Sequence, residues 1–225
     1  MIRVSKYLLL MFCFSYIKVS AGNEVQNNDV IYSDSNYDRL PDCWIVPIEF
    51  QDVFNLIVED IPYLHNQEIE VRSKKIGTTM AARPTFLSLI FKAKDNRNYL
   101  IYVNNDTSFS GVLYSDVPSL ARIGLVMHEL MHIKDYQSRN FFGVLERAWQ
   151  YLSKRGKKKF ESEIDQMVID AGYRSYLFLW SLFVMEESDA SDAYKEFKRE
   201  IYLSPFDIFI DLDENEILQN SFFIL

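Results

Sequence analysis

The sequence predicts an α+β domain in which a small β-sheet with a hairpin packs on one buried helix, and the second half of the chain is helical. Three observations predict it. Between residues 44 and 103 the apolar runs are short, rich in β-branched and aromatic residues, and separated by turn residues such as Asp95-Asn96-Arg97-Asn98. From Pro118 onward apolar residues recur at helical spacing. With 48% apolar and 15% aromatic residues in a chain of 225, one sizeable core can be filled.

Taken in order, the chain opens like an export signal. Arg3 and Lys6 supply a positive start, residues 7–17 an apolar stretch, and Val19-Ser20-Ala21 a small-residue cleavage site. The apolar stretch is too short for a membrane anchor, so no span is expected after cleavage. Removing Arg3, Lys6 and Lys18 would take the net charge from −8 to −11 and leave Cys43 as the one cysteine, excluding an internal disulfide. An exported chain without disulfides fits a secreted or periplasmic protein. Cys13 after Phe12 makes a poor lipoprotein box. Residues 22–42, rich in Asn, Asp and Ser, read as a flexible leader, and residues 43–225 as a single domain.

In that domain residues 44–48 read as a short strand, placed at an edge by Pro47. Residues 53–64 suit a short helix stopped by Pro62, and 76–80 a short β-branched strand. Residues 86–91 and 99–103 flank the Asp95–Asn98 turn and predict a hairpin. A loop over 104–117 follows; its Asn105-Asp106-Thr107 acceptor pattern is coincidental outside a eukaryotic secretory route. Pro118 starts a helix reaching about Gln137, apolar nearly all round and so buried. A second helix spans 141–152, then Lys154-Arg155-Gly156-Lys157-Lys158-Lys159 reads as a solvated basic loop, the alternative being contact with an acidic partner or anionic lipid. Helical period returns over 160–185, a charged amphipathic helix covers 188–202, and an acidic tail (Asp211, Asp213, Glu214, Glu216) ends the chain.

The buried helix carries His128-Glu129-Leu130-Met131-His132. Histidines at i and i+4 share one helix face and can grip one metal ion, while Glu129 points about 100° around, beside the ion, where a general base for a metal-activated water belongs. The competing reading is a chance pentapeptide whose imidazoles are satisfied by core hydrogen bonds. Only one other histidine exists, His65, in a turn-like Leu64-His65-Asn66. A catalytic zinc needs a third protein ligand, so a carboxylate is expected.

Glu161, Glu163 and Asp165 are the candidates. Against the apolar face set by Phe160, Ile164, Met167, Val168 and Ala171, Glu161 lies about 60° from centre, and Glu163 and Asp165 about 100° away on opposite sides. Glu161 is therefore the first choice as ligand and Glu163 the alternative, with Asp165 able to orient a histidine from behind. A solvated acidic helix start is the rival explanation. Asp135, one turn past His132, lies too far along the axis to join the same ion and suits a supporting or ion-pairing role.

H-E-L-M-H on a buried helix, preceded by a hairpin and followed by a helix with E-x-x-x-D, resembles the zincin metallopeptidases, and among them the gluzincins. That resemblance, over residues 76–185, implies Zn2+ bound by His128, His132 and Glu161, Glu129 as base, Asp165 as support, and hydrolysis of a peptide or protein substrate. It also implies that an extended peptide pairs with residues 99–103 or the neighbouring hairpin strand. The chain differs from larger members in lacking a separate C-terminal substrate domain. The acidic net charge argues against nucleic acid as a partner. Tyr136, Tyr173 and Tyr176 could donate to an oxyanion, but buried tyrosines more often serve core packing, and none is assigned. Two rivals remain: an exported zinc-stabilised binding protein without hydrolytic activity, and a metal-free helical interaction protein.

Overall fold

A computed structural model describes residues 39–210. The signal, most of the leader, Cys13 and the acidic tail lie outside the described residues. Four strands form one mixed sheet: β1 (Trp44–Ile45), β2 (Glu68–Ser73), β3 (Met80–Pro84) and β4 (Asn98–Val103), in the order β1-β2-β4-β3. The β1–β2 and β2–β4 pairs are parallel, and β3 runs antiparallel to β4. β2 went unpredicted although its Glu-Ile-Glu-Val-Arg-Ser alternation is a period-two pattern: Ile69 and Val71 are buried while Glu68 and Arg72 face out. Tyr99 to Val103 of β4 are all buried, as a central strand requires.

The predicted hairpin is corrected. Residues 86–91 form a helix, α2 (Phe86–Phe91), and the antiparallel partner of β4 is β3, in the register Ala82↔Ile101. The apolar run suggested a strand, but Pro84 ends β3, and the Thr85 hydroxyl then caps the Ser88 N–H and starts a helix. The strand expected at 76–80 is displaced onto Met80–Pro84. Before the sheet closes, α1 (Ile48–Ile57) and two 3-10 turns occupy the region of the expected short helix.

The motif helix α3 (Ser119–Ser138) buries 14 of its 20 residues, so it is the centre of the domain rather than a covering layer. It packs on β3 and α1 on one side and on the later helices on the other. Arg97, itself buried, donates from Nη1 to the Tyr136 and Arg139 carbonyls and so ties the turn before β4 to the C-terminal end of α3, where a cation is favoured. Beyond it come α4 (Phe141–Gln150), α5 (Lys154–Asp170), α6 (Arg174–Leu182), a π turn at Phe183–Glu187, α7 (Asp192–Ile201) and α8 (Pro205–Ile210). The basic stretch at 154–159 is thus the first turns of α5, not a loop: the Ser153 hydroxyl accepts from the Gly156 N–H, and this cap outweighs the poor match between lysines and a helix N-terminus. The helical period over 160–185 is broken at Gly172 (φ 85°), where Tyr173 N–H to Val168 O and Gly172 N–H to Ile169 O close a Schellman cap.

One glycine fixes how close α3 and α6 come. A Cβ on Gly124 would sit 2.2 Å from the Tyr176 carbonyl oxygen, which is backbone and cannot swing aside. Gly124→Ala is therefore expected to cost about 3 kcal/mol through overpacking. Chemical denaturation should show a lowered midpoint with an unchanged slope; an unaltered midpoint would mean the two helices are not held this tightly.

Candidate metal centre

α3 and α5 cross so that Glu161 meets the two histidines. His128 Nε2 and His132 Nε2 are 3.1 Å apart, and Glu161 Oε2 lies 3.2 Å from the first and 3.4 Å from the second. Three ligand atoms at about 2.0–2.1 Å from a tetrahedral zinc are separated by roughly 3.3–3.4 Å, and the observed edges come within a few tenths of an ångström of that spacing. The donor set also fits chemically. Two imidazole lone pairs and a carboxylate oxygen aimed at one point repel each other unless a cation or a proton sits between them. His128, His132 and Glu161 are the one such cluster of three metal-ligating side chains among the described residues.

The surroundings fix each ligand atom. Asp165, one turn after Glu161, accepts from His128 Nδ1 at 2.9 Å, which leaves Nε2 directed at the centre. The other Asp165 oxygen accepts from the Leu203 N–H at 3.1 Å. Glu161 gives one oxygen to the histidines and accepts a hydrogen bond from the Tyr151 hydroxyl on the other. His132 has no such partner: its Nδ1 is buried without a hydrogen bond, and the ring is positioned by edge contact with Phe160 (5.1 Å) and stacking near Tyr136 (6.2 Å). Glu163 faces away, 40% exposed, on Arg147. Asp135 is buried between Arg139 and Arg147, whose guanidiniums hold its carboxyl below the usual range against the opposing effect of burial. His65 lies apart, with Nε2 on the Val58 carbonyl.

Glu129 is buried, and its Oε2 accepts the Ala82 N–H at 2.6 Å. The hydrogen-bonded pairs of the β3–β4 ladder fall at Thr85–Asn98 and Thr79–Asn104, so by alternation the Met80 and Ala82 N–H groups point to the free edge of β3. Glu129 thus reaches the sheet edge. Its charge, with that of Glu161, helps burial push the Tyr136, Tyr151 and Tyr202 hydroxyls above their ordinary range, which places both carboxylates beside the same three rings. Tyr151 and Tyr202 were not singled out from sequence, since nothing local marks them. Tyr202 tilts against the His128 ring at 5.7 Å and is covered by Lys198 Nζ at 4.0 Å. Tyr173 instead bonds Asp60, and the Tyr176 carbonyl abuts Gly124.

Electrostatics couple this centre to protons. Burial pulls the His128 pKa down, but the hydrogen bonds and charges of Asp165 and Glu161 together outweigh it and raise it to about 10. Glu161 is pushed up by burial, yet the two imidazoles hold it well below the usual carboxylate range. Without metal, then, a proton on His128 does part of the work of a cation. A metal ion held there would displace it, so binding near neutral pH is expected to release about one proton and to strengthen as pH rises toward 10. Calorimetry in buffers of different ionisation enthalpy measures the release; a heat independent of buffer would contradict it. The same shift has a sign for the metal-free chain: a raised folded-state pKa stabilises fully below about 6.5, the unfolded value, and that contribution is lost as pH climbs to about 10.

Set against protein-family models, characterised proteins and solved structures, the chain matches none, so the centre is read from its own geometry.

Proposed function

We propose that this chain is an exported zinc-dependent metallopeptidase, with His128, His132 and Glu161 as metal ligands, Glu129 as general base and Asp165 orienting His128. The observation that carries the reading is the triangle of ligand atoms 3.1–3.4 Å apart on a buried H-E-x-x-H helix. Bound Zn2+ supplies a Lewis acid that polarises the scissile carbonyl and brings the pKa of a water toward ~7. Glu129, anchored through one oxygen to β3, takes the proton of the attacking water and delivers it to the leaving amine. β3 is the edge strand beside Glu129 and so the strand an extended peptide would pair with; β4, paired on both sides, offers none. Export rests on the sequence of the first 21 residues.

A second reading has its own support. Glu161 is 1% exposed and Glu129 5%, and His128 and His132 are buried with them. A zinc-stabilised binding protein without hydrolytic activity fits such a closed centre. Incubation with a broad peptide library separates the two. The peptidase reading expects cleavage abolished by chelation and restored by zinc; stoichiometric zinc with no cleavage supports the binding protein.

A further inference from the structure

The outward face of α4 and the first turns of α5 carry exposed apolar and basic side chains that the metal centre does not use. Phe142, Leu145 and Trp149 lie on α4, and Leu152 continues the stripe past its end. At 100° per residue the three on α4 fall within about 60° of one another, opposite the buried Val144 and Arg147. Phe142, Trp149 and Leu152 are 76, 72 and 74% exposed. Large apolar side chains left together in water mark a contact surface.

Two residues on, Lys154-Arg155-Gly156-Lys157-Lys158-Lys159 gathers five positive charges in a chain whose net charge is −8. They occupy the N-terminal turns of α5, where the helix dipole disfavours cations. Folding stability alone would place acids there. Lys154 pairs with Glu200, Lys159 reaches Glu163 at 3.9 Å, and Lys157 lies over the Tyr151 and Phe197 rings. Arg155 and Lys158 are exposed and make no ion pair among the described residues.

We propose that α4 and the start of α5 form a docking surface for an anionic lipid bilayer. Phe142, Trp149 and Leu152 enter the acyl boundary while Arg155, Lys158 and their neighbours meet headgroup phosphates. An apolar stripe with tryptophan beside a basic cluster is complementary to that interface, where hydrocarbon lies directly beneath negative charge. No helix among the described residues is long and apolar enough to cross a membrane, so the attachment is peripheral. The inference is independent of the metal and of hydrolysis.

The chain carries its own probe, because Trp44 and Trp180 are buried and Trp149 is not. With the full chain, vesicles of mixed phosphatidylglycerol and phosphatidylcholine should shift Trp149 emission to the blue. Pure phosphatidylcholine should not, and high salt should reverse the shift. Trp149→Phe should remove the shift yet still sediment with the anionic vesicles. Arg155→Glu combined with Lys158→Glu should weaken partitioning at least tenfold. Arg155→Glu puts an acid in the first turn of α5, where it is favoured, and both positions are exposed, so lost binding would not report unfolding. The proposal is overturned if anionic vesicles leave Trp149 emission unchanged or if the double charge reversal has no effect. Sedimentation without a Trp149 shift, showing that another segment binds, or a concentration-dependent shift without lipid, showing self-association, overturns it equally.

Discussion

Glu129→Gln is expected to keep its zinc and to lower peptide hydrolysis by about 10²–10⁴-fold, the range that general acid–base catalysis supplies. Glutamine preserves the length of the side chain, and its carbonyl oxygen can still accept the Ala82 N–H that positions Glu129 at the sheet edge. What is lost is the ability to take a proton. Fold and metal content should therefore match the parent while turnover collapses. Activity equal to the parent's, with zinc retained, would remove Glu129 from the mechanism and leave the closed centre without an evident base.

Glu161→Ala is expected to release the metal. Losing a carboxylate that supports a ligand from behind costs about 10–100-fold in metal affinity; Asp165→Asn should fall in that range, and removing the third ligand itself should exceed it. The change also strands the Tyr151 hydroxyl and leaves His128 with Asp165 as its one carboxylate partner. Thermal denaturation with and without added zinc separates these effects. A bound ion raises the transition temperature of the parent by mass action, and Glu161→Ala should show no rise at the same concentration. An equal rise in both proteins would place the zinc elsewhere.

How far the site could be read in advance depended on whether the controlling interactions were local. His128 and His132 were legible because one helical turn alone brings i and i+4 together, whatever packs around them. Glu161 was legible because Phe160 and Ile164 mark the inward face of α5, and Glu161 lies close to it. Glu163 missed that face and ended on Arg147. Tyr151 and Tyr202 were not legible: each reaches the centre through the angle at which α4 and α7 return to α5, and no spacing encodes that angle. The same limit explains the sheet. Phe86-Leu87-Ser88-Leu89-Ile90-Phe91 has strand-like composition, yet a threonine cap after Pro84 made it a helix, with Phe86, Leu87 and Phe91 exposed. β2 was overlooked because its parallel partner, β4, begins 30 residues later, at Glu68↔Asn98. The basic run at 154–159 looked like a loop because charge was weighed and Ser153, the cap, was not.

The most direct test is the metal content of the purified full-length chain, measured by elemental analysis after dialysis against zinc-free buffer. Close to one zinc per chain, falling to none in Glu161→Ala, is the result expected from imidazoles and a carboxylate set 3.1–3.4 Å apart. A parent protein that folds, holds no divalent ion and shows no thermal response to added zinc would mean that a proton on His128 is all that joins these three side chains.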